Sequence, residues 1–377
     1  MKIQIWHNIL WSRYKGAVFS ELYLLASKKN ILVNFIQISE TEQGKKALSG
    51  VDYNYHKYSY DLLFKGVYEE IPLFKKIFVL FFRALKSDAD VILIPGYHYI
   101  EFWGILFAAL ITKKRIGLFG DSTLNDHPQN LLKGLFKRLF ISCCDFYMCY
   151  GIRSRENLIH YGANKCRIFY RRQSAALPNN YNLQNAFNSR LQLRASKESP
   201  RFLYVGRLSK EKGIHILLKA FSNAKKALPL SKLILIGEGD LKSELKKNAD
   251  DLSISGDVEF LGSKSEEDLY NEYSKATCLV LPSNSEPWGL VVNEALSYGC
   301  PVIASSNCGC VPELVENHDH GLVFIAGNLK DLQAKLEQAP VTFNNNKDIA
   351  NSALSLIAYF TPRRAAKEIL NACIQKK

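Results

Sequence analysis

The chain has 377 residues, more than one hydrophobic core usually supports, so its length predicts two domains. Hydrophobic residues make up 47% and charged residues 23%, a globular composition that excludes a disordered or fibrous protein. The net charge is +13, and residues 1–196 carry all of this excess. A basic half favours anionic partners such as nucleic acid, phosphate-bearing substrates or anionic lipid, and a merely solvated basic surface is the alternative.

Cysteine spacing and the lengths of apolar runs indicate the cellular compartment in which the protein is expected. The nine cysteines include the close pairs Cys143–Cys144 and Cys308–Cys310, whose spacing does not match a zinc site, so reduced thiols in a cytoplasmic protein are expected. The first residues lead directly into a strand-like run, so no secretory signal is predicted. The longest apolar run, 102–111, is too short for a membrane-spanning helix, which needs about 20 residues.

Short apolar runs in the first half alternate with helix-like stretches. Strand–helix alternation is typical of a parallel sheet covered on both faces, so residues 1–190 are predicted to form a Rossmann-like domain. The predicted strands are 31–38, 91–94 and 115–119, and the predicted helices are 18–27, 72–85, 101–111 and 129–140.

The same alternation restarts after a polar segment, 177–200, which has the composition of a linker. We therefore expect a second Rossmann-like domain over 191–355 and a final helix within 356–377 that packs back toward the first domain. The predicted strands are 201–205, 233–236, 258–261, 278–281 and 302–305, and the predicted helices are 215–228, 241–248, 265–274 and 290–298. Open parallel sheets bind ligands at the carboxyl ends of their strands.

A basic loop follows the first strand of the second half. Its sequence runs from Gly206 and Arg207 to Lys212 and Gly213, where a helix begins. A planar guanidinium, a compact ammonium and a helix N-terminus in one place favour a phosphate. A charged turn without a ligand is the alternative.

A Gly-x-Gly turn follows the next strand, with Gly237, Glu238 and Gly239. Glycines at these positions would let a base or ribose approach the backbone closely. The third glycine of a dinucleotide fingerprint is absent, so the signal is weak, and a tight strand-to-helix turn explains it equally well.

The strongest pattern is the Glu286-x7-Glu294 pair between two predicted strands. Glu286 lies on a loop, a helix begins near Gly289, and Glu294 lies about one and a half turns into that helix. Two carboxylates suit the vicinal hydroxyls of a sugar and a ribose, and the helix start favours an anion. Glu294 has apolar sequence neighbours, and a buried carboxylate without a partner is costly, which argues against a purely structural pair.

In this order, these elements resemble the carboxyl-terminal domain of family-4 retaining glycosyltransferases with the GT-B fold, the group 1 glycosyltransferases, and the resemblance covers residues 200–325. It implies an α/β protein with two Rossmann-like parallel-sheet domains facing a central cleft. It also implies transfer of a sugar from a nucleoside diphosphate donor with retention of configuration, without a metal or other cofactor. Basic groups and a helix N-terminus would then supply the charge that a metal supplies elsewhere.

The resemblance assigns roles by position. Arg207 and Lys212 would neutralise the leaving diphosphate, and Glu286 would contact the hydroxyls of the donor sugar. Glu294 would contact the ribose hydroxyls. The remaining donor-binding positions are Gly206, Glu238, Gly239, Pro287, Trp288, Gly289, Leu290 and Val291.

The amino-terminal half departs from the family pattern. Only Gly16 stands where many members have a Gly-Gly loop, and a strand that many members follow with histidine runs here into Asp121. Asp121 is therefore the candidate catalytic residue of this half. Gly16 and His98 are candidate contacts of the acceptor or sugar, and a structural role is the alternative for His98. The run from Asp121 to Thr123, with the later Tyr150-Gly151, also resembles bacterial surface-polysaccharide transferases.

The predicted function is sugar transfer to a glycan or lipid-linked acceptor in cell-surface polysaccharide biosynthesis, with a UDP- or GDP-linked donor. The stretch 72–86 is basic and rich in Phe and Leu. It predicts peripheral contact with anionic lipid on the inner face of the cell membrane, or alternatively a core-facing helix.

Three rival functions remain. The first is a nucleotide-sugar epimerase or phosphorylase-like enzyme. The second is a non-catalytic sugar-binding partner, and the third is a basic-surface protein on the same scaffold that binds nucleic acid or lipid. No helix-turn-helix, zinc or RNA-binding signature accompanies the basic charge, so no nucleic-acid partner is expected.

Overall fold

The computed structural model describes residues 1–45, 50–126, 130–178, 180–194, 196 and 198–375. Its internal contacts divide the chain into two compact units. The first unit comprises Met1–Leu124, Pro128–Ala176 and Thr361–Lys377, and the second comprises Asn125–His127 and Leu177–Phe360.

The first unit is built on a seven-stranded parallel sheet with the order β3-β2-β1-β4-β5-β6-β7. Its strands are β1 Lys2–Ile9, β2 Leu32–Ser39, β3 Tyr60–Leu62, β4 Val91–Ile94, β5 Arg115–Phe119, β6 Phe146–Cys149 and β7 Ile168–Tyr170. Its first five helices are α1 Arg13–Ser27, α2 Leu73–Leu85, α3 Glu101–Ile111, α4 Leu131–Ser142 and α5 Ile152–His160. The predicted elements of this half are confirmed, although α1 begins five residues earlier than the predicted helix. The predicted start of α4 at Gln129 lies outside the described residues.

Helices cover both faces of this sheet. All four residues of β4 are buried, as expected for a parallel strand between two helical layers. On one face α2, α3 and α4 bury Leu80, Phe102 and Phe140, and on the other α1 buries Phe19. Each such side chain contributes about 1.5–3 kcal/mol when it leaves water, so the two layers hold the strand ends in place.

The second unit is built on a six-stranded parallel sheet with the order β10-β9-β8-β11-β12-β13. Its helices are α6 Leu183–Leu193, α7 Ile214–Ala224, α8 Lys242–Asp251, α9 Glu266–Lys275, α10 Leu290–Ser297, α11 Val311–Leu314, α12 Leu329–Thr342 and α13 Asn346–Ile357. Its strands are β8 Arg201–Val205, β9 Lys232–Ile236, β10 Val258–Gly262, β11 Cys278–Leu281, β12 Val302–Ser305 and β13 Gly321–Phe324. All five predicted strands of this half are confirmed, and β13 is an edge strand that was not predicted.

The boundary between the units falls at 176/177, whereas the sequence suggested 190/191. The helix α6 lies in the second unit because it packs on α9 and α13. The buried Arg190 of α6 donates hydrogen bonds to the carbonyls of Tyr273 and Ser274 at 3.2 Å, at the carboxyl end of α9.

The last helix, α14 Pro362–Ile374, belongs to the first unit. It packs on α1, and Arg115 of β5 donates hydrogen bonds to the carbonyls of Ala372 at 3.1 Å and Cys373 at 2.7 Å. These carbonyls lie in the last turn of α14, where the helix dipole favours a cation.

Candidate functional site

Glycines shape the carboxyl ends of β8 and β9 in the second unit. Gly206 and Gly237 have φ angles of +152° and +134°. A Cβ atom at Gly237 would lie 1.9 Å from the carbonyl oxygen of Gly206, and one at Gly239 would lie 2.4 Å from that of Leu208. The two loops therefore pack backbone against backbone, and only glycine permits this spacing.

Replacing Gly237 with alanine is expected to lower the free energy of unfolding by at least about 2 kcal/mol, because the new methyl group adds a backbone clash to a strained φ. Urea unfolding measures the loss. Gly256→Ala is the matched control, because a Cβ there meets nothing within 4 Å, and a change within about 0.5 kcal/mol is expected. Equal stability of the two variants would contradict the tight packing of these loops.

Lys212 and Glu286 form an ion pair at this edge of the sheet. The Lys212 Nζ atom lies 2.6 Å from Glu286 Oε2, and the two side chains are 15% and 16% exposed. Gly213 follows Lys212 with φ +67°, and a Cβ there would lie 2.2 Å from the Pro282 carbonyl oxygen. The turn that presents Lys212 is thus held against the loop that carries Glu286.

Arg207 lies at the rim of the same loop. Its guanidinium is 3.2 Å from Glu211 Oε1, and the two side chains are 55% and 42% exposed. Burial would raise the pKa of Glu211, but the hydrogen bond from Ser209 and the nearby Arg207 hold it below its ordinary value. Exposed pairs of this kind contribute little stability, so Arg207 can turn to a ligand at low cost.

The loop between β11 and α10 places the second carboxylate. Gly289 has φ +100° and precedes α10, which begins at Leu290 as predicted. Glu294 accepts a hydrogen bond at 2.9 Å from the hydroxyl of the buried Tyr273, so the carboxylate that the sequence left without a partner has one. Tyr273 lies on α9, and no sequence motif linked it to Glu294.

The remaining predicted donor-binding residues differ in exposure. Trp288 is buried, and its Nε1 atom donates a hydrogen bond at 2.8 Å to Asn293 Oδ1, so its side chain braces the loop. Glu238 is exposed and lies 2.9 Å from Lys242 Nζ. Pro287 is exposed, while Leu290 and Val291 are half-buried at the start of α10.

In the first unit, Asp121 lies at the end of β5 between two cations. Arg171 donates a hydrogen bond to Asp121 Oδ1, and the Lys15 ammonium is 3.7 Å from Oδ2. Burial would raise the pKa of Asp121, but Arg171 and Lys15 outweigh it and hold this pKa below its ordinary value. Neither cation was predicted: Lys15 directly precedes Gly16, and Arg171 follows β7 without any motif.

A cavity of about 170 Å³ adjoins Asp121, and its walls include Ser12, Lys15, Glu42 and His98. The His98 ring lies 4.3 Å from the ring of Tyr99, centre to centre.

The predicted contact Gly16 lies under the ring of His56. A Cβ atom at Gly16 would lie 2.8 Å from His56 Cε1. Burial lowers the pKa of His56 to about 4, so this ring is neutral at pH 7. The absence of a side chain at Gly16 therefore makes room for a neutral imidazole.

Within the described residues, no three His, Cys, Asp or Glu side chains come together in a way that could hold a metal ion. Two aspartates of the chain, Asp88 and Asp90, are separated by a single residue. They lie before β4, at the amino end of that strand, and both carboxylates contact Lys2. Among the helices that the structure describes, none combines the length and apolar character needed to cross a membrane.

Comparisons with known proteins give a family for part of the chain and a fold for nearly all of it. Residues 186–351 match the family model for group 1 glycosyl transferases. An uncharacterized glycosyltransferase of Methanocaldococcus jannaschii is 31% identical over 143 residues, 38% of this chain and 36% of that protein. The first curated relatives are matched over only 26–40% of their own length.

Solved structures match nearly the whole chain. The lipopolysaccharide outer core galactosyltransferase WaaB has a TM-score of 0.70 at 16% identity, with 99% of each chain covered. The Anabaena protein HepE, crystallised with UDP and glucose, has a TM-score of 0.71 at 18% identity, again over 99% of each chain. Residues 186–351 therefore form a group 1 glycosyltransferase domain, and the chain as a whole has the GT-B fold.

Proposed function

We propose that this protein transfers a sugar from a nucleoside diphosphate donor to a glycan or lipid-linked acceptor, with retention of configuration and without a metal. The observation that supports this proposal most directly is the Lys212–Glu286 ion pair. It lies at the carboxyl edge of a parallel sheet, beside Arg207. Cell-surface polysaccharide biosynthesis is the proposed setting.

The proposed chemistry follows from charge. Departure of a nucleoside diphosphate leaves negative charge on its phosphate oxygens, and positive groups fixed beforehand stabilise that charge. Lys212 supplies a compact cation and Arg207 a planar fork that can bind two oxygens. Glu286 can accept hydrogen bonds from sugar hydroxyls, so it serves as a clamp and not as the nucleophile of a glycosidase. Acceptor attack on the face that the diphosphate leaves would retain the configuration.

The donor base is proposed to be uracil or guanine. The structure of HepE with UDP and glucose supports uracil. Thermal shifts with UDP, GDP and ADP, followed by transfer assays with the matching sugars in EDTA, test the proposal. Stabilisation by one nucleotide and turnover in EDTA are expected. No response to any nucleotide, together with tight salt-sensitive DNA binding, would overturn it, and turnover that requires a divalent ion would overturn its metal-free part.

An exposed apolar surface in the first unit supports a membrane-associated acceptor. Leu131, Leu132 and Leu135 of α4 are 95%, 72% and 65% exposed. Phe136 and Leu139 of the same helix are also exposed. Apolar patches of this kind on a surface indicate an interaction site.

The neighbouring helices extend this surface. On α2, Lys76 and Leu80 face inward, so the core-facing alternative holds for that side of the helix. Phe74 and Phe78 face solvent, which supports the proposed lipid contact for the other side. On α3, Trp103 packs against Phe140 of α4 with ring centres 5.0 Å apart, which joins the helices into one layer.

Basic residues accompany the exposed apolar side chains of this layer. Lys133 and Arg138 are exposed on α4, and Lys75 is exposed on α2. Exposed leucines and phenylalanines beside basic groups fit an anionic lipid surface. We therefore propose peripheral contact with the inner face of the cell membrane.

Replacing Leu131 and Leu135 together with glutamate is expected to lower binding to anionic liposomes at least about tenfold, because each buried leucine contributes about 1.5–3 kcal/mol and the new charges are repelled. Liposome pelleting at low salt measures the loss. Leu230→Glu is the control, because Leu230 is about as exposed as Leu135 but lies in the second unit. Equal binding by the double variant and the wild type would contradict this surface.

A further inference from the structure

The cavity beside Asp121 lies at the point where the strand order of the first sheet reverses, between β1 and β4. Since β2 and β4 flank β1 on opposite sides, the helices that follow β1 and β4 leave a crevice at the carboxyl end of β1. Ligands of parallel α/β sheets bind at such a point. The walls come from the ends of β1, β4 and β5 and from the first turn of α1.

Lys15 brings a buried cation to this cavity. Its side chain is 4% exposed, and its ammonium lies 5.0 Å from the ring centre of Phe119 and 5.5 Å from that of Tyr150. The 3.7 Å distance to Asp121 exceeds that of an N–H···O hydrogen bond, and Arg171 already donates a hydrogen bond to the same carboxylate. Two cations thus share one carboxylate, and this cluster has a surplus of positive charge. Glu42, half-buried on the cavity wall, is the other carboxylate that lines it.

Ser12 is the second polar group in the wall. Its residue is 3% exposed, and its Oγ atom has no hydrogen-bond partner among the residues that the structure describes. Although Ser12 is the N-cap of α1, its side chain caps no backbone N–H. A buried hydroxyl without a partner is unfavourable, and a ligand oxygen in the cavity would satisfy it. The start of the 15-residue helix α1 adds partial positive charge at the same place.

We propose that this cavity binds a phosphoryl group of a substrate, with the Lys15 ammonium and the Ser12 hydroxyl as its ligands. The inference rests on the proposed sugar transfer, and the proposed source of the group is a phosphate on a lipid-linked acceptor. Asp121 then serves as a positioning residue, because its carboxylate holds Lys15 and Arg171 in place and neither accepts nor releases a proton near pH 7.

Binding of the phosphoryl group is expected to weaken as the pH rises from 7 to 9. Burial, followed by the effect of Arg171, lowers the pKa of Lys15 to about 7, while Asp121 acts in the opposite direction. A bound anion favours the charged ammonium, so binding takes up a proton above pH 7. Burial raises the pKa of Tyr14 and of Tyr150, so both phenols stay neutral in this range. The other charged or titratable groups around the cavity and Lys15 are His7, Glu42, Tyr97, His98, Asp121 and Arg171.

Calorimetric titration of the full chain with glycerol phosphate, with glycerol, and with UDP or GDP tests the site. Lys15→Met is the informative variant, because it removes the ammonium and leaves the Asp121–Arg171 pair intact. Lys28→Met, at the exposed far end of α1, is the matched control. Unchanged melting temperatures in both variants, or a higher one for Lys15→Met, establish that the fold persists.

The wild type is expected to bind glycerol phosphate but not glycerol, and Lys15→Met to lose at least tenfold in that affinity while Lys28→Met does not. Nucleotide affinity is expected to be retained in Lys15→Met. A tenfold loss of nucleotide affinity would overturn the acceptor as the source of the phosphoryl group. If Lys15→Met matches the wild type with every ligand, the site does not exist, whatever the outcome for nucleotide binding by the second unit.

Discussion

Replacing Lys212 with methionine is expected to lower kcat/KM for sugar transfer by about 10²–10³-fold, the usual effect of removing one fixed group that stabilises developing negative charge. Lys212 is nearly buried and lies 2.6 Å from Glu286, so the protein holds its ammonium in place before any substrate binds. Methionine keeps most of the length of the lysine side chain and removes the ammonium, with its charge and its hydrogen-bond donors. The expected loss therefore appears in kcat and in the affinity for nucleoside diphosphate.

Two further variants separate this effect from damage to the loop. Lys210→Met changes an exposed lysine in the same turn and is expected to leave kcat/KM within about twofold, since exposed surface charges contribute little. Lys212→Met combined with Glu286→Gln removes both charges, so it avoids a nearly buried carboxylate without its cation. Recovery of thermal stability without recovery of turnover is expected in the double variant. Full activity of Lys212→Met would remove Lys212 from the proposed mechanism.

The sequence predicts which loops meet at this candidate site because its motifs follow neighbouring parallel strands. Lys212 and Glu286 are 74 residues apart, yet β8 pairs with β11, and the loops after these strands must meet at one edge of the sheet. The glycines after β8 and β9 also follow from the meeting of neighbouring loops. Two loops that touch through their backbones leave no room for side chains at the contact.

Other parts of the molecule depend on contacts that no local pattern encodes. Arg171 reaches Asp121 across 50 residues and Tyr273 reaches Glu294 across 21, each through a single side chain. Hydrophobic periodicity predicts that a helix has an apolar face, but not whether that face is covered. The sequence pointed to the stretch around α2 as the lipid contact, while α4 presents the more exposed leucines. Short edge strands such as β3 and β7 have only three residues and too little periodicity to be recognised.

Replacing Asp121 with asparagine is expected to lower the free energy of unfolding of the first unit by about 3 kcal/mol at pH 7, because it removes the carboxylate between two buried cations. The side chains of Lys15 and Arg171 are 4% and 2% exposed, whereas that of Asp121 is 28% exposed, which places the effect at the lower end of the range for buried pairs. Since the folded protein holds the pKa of Asp121 below its ordinary value near 3.9, this stabilisation is complete above about pH 4 and disappears as the pH falls through the lower, folded-state pKa.

Urea unfolding at pH 7 and in acid, followed by tryptophan fluorescence, measures this loss, because Trp6, Trp11 and Trp103 lie in the first unit. Asp61→Asn is the matched control, because Asp61 pairs with Arg83 at the surface, where both side chains are nearly half exposed and a change below about 1 kcal/mol is expected. Adding Lys15→Met to Asp121→Asn is expected to restore part of the stability, since one of the two uncompensated cations is then gone. If Asp121→Asn unfolds like Asp61→Asn, the carboxylate does not hold these cations together, and Asp121 is free to act on substrate directly.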